Sequence, residues 1–188
     1  MKTTSFLASA AKAAFALAAV VMMSAVFTSC SKDDDDDDAK KFTNTVTFGG
    51  MEKPIVKAEY EDRGSGNYKL FLYLEAVGAE RLEIQLNKGL HMTGNPIDLK
   101  KKEEKHSGLY WAVTYYTPDG NRFFHTFAGP SSPLPVFSDG TFTVNGDPVT
   151  GIRIKLENGL VIGEDDNDHT ITMSYSGKMT EKKKKKKK

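Results

Sequence analysis

The sequence holds a single cysteine, Cys30, and four histidines, His91, His106, His125 and His169. A lone thiol has no partner for an internal disulfide, so its chemistry is nucleophilic attack, metal ligation or acylation. The histidines fall on separate segments, without the i, i+4 or Cys-x-x-Cys spacing that marks a metal centre, and are expected to pack on strands or face water. Gly163 to His169 reads Gly-Glu-Asp-Asp-Asn-Asp-His, four acids within seven residues. The alternating order and closing glutamate of a calcium loop are missing there, and a solvated hairpin turn accounts for the composition. No G-x-S-x-G elbow, Walker loop or dinucleotide fingerprint is present. No catalytic residue, metal or cofactor is expected, and the chain is read as a non-enzyme.

Binding chemistry has a better foothold in the aromatic residues. Tyr110, Trp111, Tyr115, Tyr116, Phe123, Phe124 and Phe127 place seven rings within eighteen residues, across two predicted strands joined by Pro118-Asp119-Gly120-Asn121. On a strand, Trp111, Val113 and Tyr115 face one way while Tyr110, Ala112, Thr114 and Tyr116 face the other. Rings on an outer face can stack on a sugar, and tyrosine hydroxyls can hydrogen-bond it. Tyr110, Trp111 and Tyr116 are therefore the candidate ligand-binding residues, with a glycan as the ligand class. Aromatic residues also favour strands simply because they cover sheet surfaces, which is the competing explanation.

The elements that must position these residues read as strands almost throughout. Tyr68, Leu70, Leu72 and Leu74 alternate with Lys69, Phe71, Tyr73 and Glu75, and Leu82, Ile84 and Leu86 alternate with Glu83 and Gln85. That period of two buries one face of each strand. Further β-branched or aromatic runs lie at 110–116, 122–127, 141–144, 152–156 and 170–175. Gly49-Gly50, Gly64-Ser65-Gly66-Asn67, Asp139-Gly140, Asn145-Gly146-Asp147 and Asn158-Gly159 supply turn formers between them. About nine short strands with frequent turns predict an all-β antiparallel β-sandwich, with a small lipocalin-like barrel as the alternative. Residues 88–108 and 129–138 are too long for hairpin turns and are expected to cross between sheets. No helical spacing stands out after residue 42.

The N-terminal segment has a different composition. Met1 to Lys12 carries Lys2 and Lys12 without an acid, and Ala13 to Phe27 runs fifteen residues without a charge. A spanning helix needs about 20 apolar residues and a signal core about 7 to 15, so residues 1–29 are expected to be a cleaved secretory signal. Thr28 and Ser29 before Cys30 resemble the bacterial lipobox, with Phe27 in place of the usual leucine. Cys30-Ser31-Lys32-Asp33-Asp34-Asp35 and the aspartates that continue to Asp38 resemble the export signal of Bacteroidota surface lipoproteins. This resemblance covers Cys30 to Asp38. It implies an acylated Cys30 that holds the protein in the outer membrane, Ser31, Lys32, Asp33, Asp34 and Asp35 as the export signal, and display on the outer surface.

A second likeness spans Asn44 to Lys178. The runs Asn44-Thr45-Val46-Thr47-Phe48, Gly140-Thr141-Phe142-Thr143-Val144, Ile152-Arg153-Ile154-Lys155-Leu156 and Tyr175-Ser176-Gly177-Lys178 are similar to small all-β lipoproteins of the same group. It implies a fold and transfers no catalytic residue.

Residues 30–41 are expected as an acidic tether, because adjacent carboxylates repel and cannot pack. Residues 42–181 are the expected single domain, with 14 basic and 19 acidic residues. That acidic balance gives no support to nucleic-acid binding, which needs a basic face. Lys182 to Lys188 form a run of seven lysines, expected as a solvated tail. The functional expectation is thus an outer-membrane lipoprotein, anchored through Cys30, that binds a glycan without chemistry. The alternative is a structural or adhesive lipoprotein that engages another envelope or host protein.

Overall fold

The computed structural model describes residues 42–183. The expected signal segment, Cys30, the export residues Ser31 to Asp35, and Lys184 to Lys188 lie outside the described residues. Twelve strands and one helical turn follow in order: β1 Thr45–Phe48, β2 Met51–Pro54, β3 Lys57–Gly64, β4 Asn67–Tyr73, β5 Arg81–Asn87, α1 Lys88–His91, β6 Thr93–Asp98, β7 Ala112–Tyr116, β8 Arg122–Phe127, β9 Asp139–Asp147, β10 Gly151–Ile162, β11 Asp168–Gly177 and β12 Thr180–Glu181. They form two six-stranded sheets. Sheet A has the order β2-β1-β11-β10-β9-β6, and sheet B the order β12-β3-β4-β5-β7-β8. The two sheets pack face to face as a β-sandwich, and neither closes into a barrel.

The predicted alternation sets the packing. Leu70, Leu72, Leu82, Ile84, Val113 and Tyr115 of sheet B meet Val46, Phe142, Val144, Ile154, Leu156, Ile171 and Met173 of sheet A in one continuous core. Pairing is antiparallel throughout except between β12 and β3, which run parallel. At the β10 bulge a side chain on Gly140 would come within 2.8 Å of the Gly159 Cα, so a glycine at 140 lets β9 approach β10 there.

Twelve strands form where about nine were expected, because β2, β6 and β12 are short edge strands without alternation. Pro54 ends β2 and Pro96 sits inside β6, positions a proline tolerates only at a sheet edge. The segment 88–108 does cross between sheets, yet it contains elements of its own. Asn87 caps α1 by accepting the Gly89 N–H at 3.0 Å, and β6 follows in sheet A. The 129–138 segment carries the chain from β8 in sheet B to β9 in sheet A. Among the described residues, no helix is long and apolar enough to cross a membrane.

Candidate functional site

The inner and outer faces of sheet B divide the predicted aromatic platform. Trp111 is wholly buried and lies 6.3 Å from the Phe137 ring, so its proposed place on a ligand surface is corrected. It faces the core because it shares the inward set with Val113 and Tyr115, which the alternation had grouped with it. Its indole N–H finds no acceptor. Tyr116 does lie on the outer side, whereas Tyr110, just ahead of β7, is half-buried against the core, and six residues of chain hold the two roughly 20 Å apart. The Tyr110 ring packs 4.2 Å from His106 and edge-on to Phe127 at 5.9 Å. Ala112 and Thr114, between the two tyrosines, are buried beneath their neighbours.

Tyr116 belongs instead to a row that runs across the strands. Lys57 pairs with Tyr73, Tyr73 with Arg81, and Arg81 with Tyr116, which places four outward side chains side by side on β3, β4, β5 and β7. The Arg81 guanidinium lies 3.9 Å from the Tyr116 ring centroid, and Lys57 Nζ lies 5.0 Å from that of Tyr73. Both are cation–π distances. The next row is Glu59, Phe71, Glu83, Thr114 and His125. Glu83 accepts from Lys69 at 2.6 Å and from Arg81 at 2.8 Å. Tyr73 donates its hydroxyl to Glu59 at 2.8 Å, and Thr114 Oγ1 bonds His125 Nδ1 at 2.7 Å.

This outer face is therefore a packed layer. Phe71, Tyr73, Glu83 and Thr114 are all buried although no second sheet covers them. Burial raises the Glu83 carboxyl, and the Lys69 and Arg81 bonds outweigh it, so the group sits below the ordinary carboxylate range. Glu59 is lowered likewise, with burial opposed by Lys57 and the Tyr73 hydroxyl. Burial and the Glu59 bond push the Tyr73 phenol well up, so it stays protonated as a donor.

Sequence spacing left the histidines scattered, and the fold gathers two of them. His91 Nε2 lies 2.6 Å from Glu103 Oε1, and His106 Nε2 lies 3.6 Å from Glu103 Oε2. The three potential ligand atoms lie within 4.8 Å of one another. The turn α1 folds His91 back, and the crossing segment supplies Glu103 and His106, so no local pattern could have shown the cluster.

The proton arrangement decides what this cluster can do. The Asn87 N–H donates to His91 Nδ1 at 2.7 Å, which leaves the ring proton on Nε2, where Glu103 accepts it. A metal-binding histidine needs the opposite arrangement, a free Nε2 lone pair and an outward N–H. Glu103 also accepts the Trp111 backbone N–H at 2.9 Å, and its own backbone N–H donates to the Ala128 carbonyl at 2.9 Å. Burial raises the Glu103 carboxyl, and the His91 and Trp111 bonds outweigh it. The cluster thus clamps the crossing segment onto the end of β7. His106 donates Nδ1–H to the Ser107 carbonyl at 2.9 Å, and its buried Nε2 has no hydrogen-bond partner.

The acidic stretch at 163–169 is a hairpin connection. Gly163 N–H donates to Asn167 O at 3.0 Å, and the Asp165 carboxylate meets His169 at 2.9 Å. The His169 ring stacks on Phe48 at 5.3 Å, which ties this turn to sheet A's first strand. Comparison with protein-family models, curated proteins and solved structures finds no match to this chain.

Proposed function

We propose that this protein is a lipid-anchored display module that binds carbohydrate on the outer face of sheet B and performs no chemistry. The observation that supports this most is the cross-strand row Lys57, Tyr73, Arg81 and Tyr116, in which rings alternate with cations over about 14 Å at the usual strand spacing of nearly 5 Å. A sugar chain presents C–H faces for rings and hydroxyls for charged donors, and such a row offers both. Cys30 and the aspartates after it supply the anchor and the outward tether, with Cys30 acylated and the chain held at the outer membrane's surface. Acylation of the sole cysteine leaves no thiol for catalysis.

The adhesive alternative gains less from the fold. A partner that adds a strand needs an open edge. Here β2 and β6 carry prolines, and β12 has two residues. On β8, Phe127 N–H donates to Pro135 O at 2.9 Å and Phe123 O accepts from Glu164 N–H at 2.9 Å. These edges are blunted in the way natural sheets avoid pairing.

A glycan array probed with the full chain tests the proposal. Signal on at least one sugar is expected to fall tenfold or more in the double variant Arg81→Ala with Tyr116→Ala, and to persist in Tyr110→Ala. Signal lost only with Tyr110→Ala moves the binding face away from the row. No signal on any sugar removes the carbohydrate reading.

A further inference from the structure

At the edge of sheet B, the β4–β5 hairpin and the C-terminal strand β12 enclose an open groove of about 540 Å³. That volume falls within the roughly 300 to 1,000 Å³ common to small-ligand sites. Tyr73 lines it together with Lys57, Glu59, Thr180, Glu181, Lys182 and Lys183, three cations against two carboxylates. The groove thus continues the cross-strand row past Tyr73 to the sheet's edge.

Its charges are not equally committed. Lys57 Nζ is 2.7 Å from Glu59, which also accepts the Tyr73 hydroxyl, so that carboxylate and that ammonium satisfy each other. Lys182 makes no ion pair among the described residues. Its Nζ lies 3.6 Å from the Phe71 ring centroid and 6.0 Å from that of Tyr73. The Lys182 N–H is fixed to the Tyr60 carbonyl at 2.8 Å, which seats the residue against β3. Burial pulls the Lys182 ammonium below the ordinary lysine range, against the field of Glu83 and Glu59. An ammonium already partly stripped of water loses less hydration when an anion replaces the rest. The sequence then continues with Lys184 to Lys188, so the positive charge grows along the chain from this point.

We propose that the groove binds an acidic sugar, carboxylated or sulfated, with Lys182 as the charge partner of the acid group and Tyr73 beside its ring. Thr180 stands where a sugar hydroxyl can meet it. This assignment rests on the carbohydrate reading above and narrows it to an anionic class. The acid group has two possible sources, an acidic polysaccharide or a free anion such as phosphate, and the probes below separate them.

Isothermal titration of the full chain with trigalacturonate, a sulfated trisaccharide, maltotriose and inorganic phosphate tests it, at low and at physiological salt. At least one acidic trisaccharide is expected to bind tenfold or more tighter than maltotriose and phosphate. Lys182→Ala is expected to weaken it tenfold or more, Lys182→Arg less than threefold, and removal of Lys184 to Lys188 less than threefold. Thermal unfolding of each variant shows whether the sandwich is intact, and Lys182→Gln, expected to weaken binding as Lys182→Ala does, carries the test if Lys182→Ala misfolds. Loss of binding on tail removal with Lys182→Ala unaffected overturns the groove in favour of the tail. Phosphate binding as tightly as the acidic sugars overturns the sugar component. Equal binding of neutral and acidic sugars overturns this inference and leaves the carbohydrate reading standing, whereas no sugar binding of either kind overturns both.

Discussion

The outer faces of the two sheets are built from the same alternation and have opposite character. On sheet A, Thr45, Thr47, Thr172, Ser174, Thr143, Lys155 and Glu157 stand outward, and all are exposed or half-buried. On sheet B, Phe71, Tyr73, Glu83 and Thr114 stand outward and are buried. The cause lies in the cross-strand neighbours. Threonine and serine are too short to cover one another, so water reaches the sheet A backbone. Rings with long cationic stems laid across them exclude water on sheet B. An ion pair on the first face is thus a solvated one, and on the second it is shielded.

The sharpest way to break this contrast is to remove Glu83. Its side chain is 8% exposed and answers both Lys69 and Arg81. Breaking a fully buried pair costs about 3 to 5 kcal/mol, and since both cations here keep some contact with water, Glu83→Ala is expected to cost about 2 to 3 kcal/mol. Thr172→Ala on sheet A is expected to stay within about 0.5 kcal/mol. Urea unfolding midpoints at unchanged slope measure both. A Glu83→Ala loss as small as that of Thr172→Ala removes the shielded layer.

Acid titration reads the same contrast through protons. Glu83 and Glu59 both have folded values below the ordinary carboxylate range. Each therefore contributes stability that is complete above the unfolded value, near pH 4.3, and lost as pH falls through the lower folded value. The wild-type chain is expected to lose stability more steeply than Glu83→Gln between about pH 4.5 and 2. Parallel curves for the two chains mean that Glu83 gains nothing from its partners. The clamp at Glu103 adds a loss of the same sign, present in both chains and so cancelling in their difference.

Much of this architecture was legible in the alternation. Leu70, Leu72, Leu82 and Ile84 point inward as their spacing requires, and the segments 88–108 and 129–138 cross between sheets as their lengths demand. The outer face of sheet B was not legible, because period two assigns Phe71 and Tyr73 to a side without saying what covers them. That cover comes from Lys57 and Lys69 on neighbouring positions and from Lys182, more than a hundred residues away in the chain. The candidate site was legible at Tyr116 alone. Trp111 was misplaced because an aromatic residue carries the same strand signal whether it faces core or solvent. The clamp of His91, Glu103 and His106 was invisible, since β6 leaves for the other sheet between its first and second members.

A smaller change should sharpen the contrast at the cross-strand row. Arg81 stacks on Tyr116, bonds Glu83, and donates to the Ala79 carbonyl at 2.9 Å. Lysine keeps the charge but cannot lie flat on the ring and reach both oxygens at once. Arg81→Lys is expected to cost about 1 kcal/mol, in line with one exposed cation–π contact and a lost hydrogen bond. The Tyr116 ring resonances should shift in the NMR spectrum as the guanidinium leaves. An unchanged ring spectrum places the guanidinium elsewhere in solution.

The smallest expected effect is the most discriminating about solvent. Lys155 and Glu157 on sheet A sit 2.8 Å apart, close to the 2.6 Å of Lys69 and Glu83 on sheet B, but their side chains are 44% and 48% exposed. Distance alone ranks the two pairs as near equals. Solvent separates them, since an exposed pair gains little in water and must hold two flexible side chains in place. A double-mutant cycle to alanine is expected to give a coupling below about 0.5 kcal/mol for Lys155 and Glu157, vanishing at 1 M salt. The coupling of Lys69 with Glu83 is expected to exceed about 1 kcal/mol and to survive that salt, because a shielded pair is screened far less. Equal couplings with equal salt dependence mean that water reaches both faces alike. The row on sheet B is then an ordinary solvated surface, and its rings have no protected layer on which to hold a sugar.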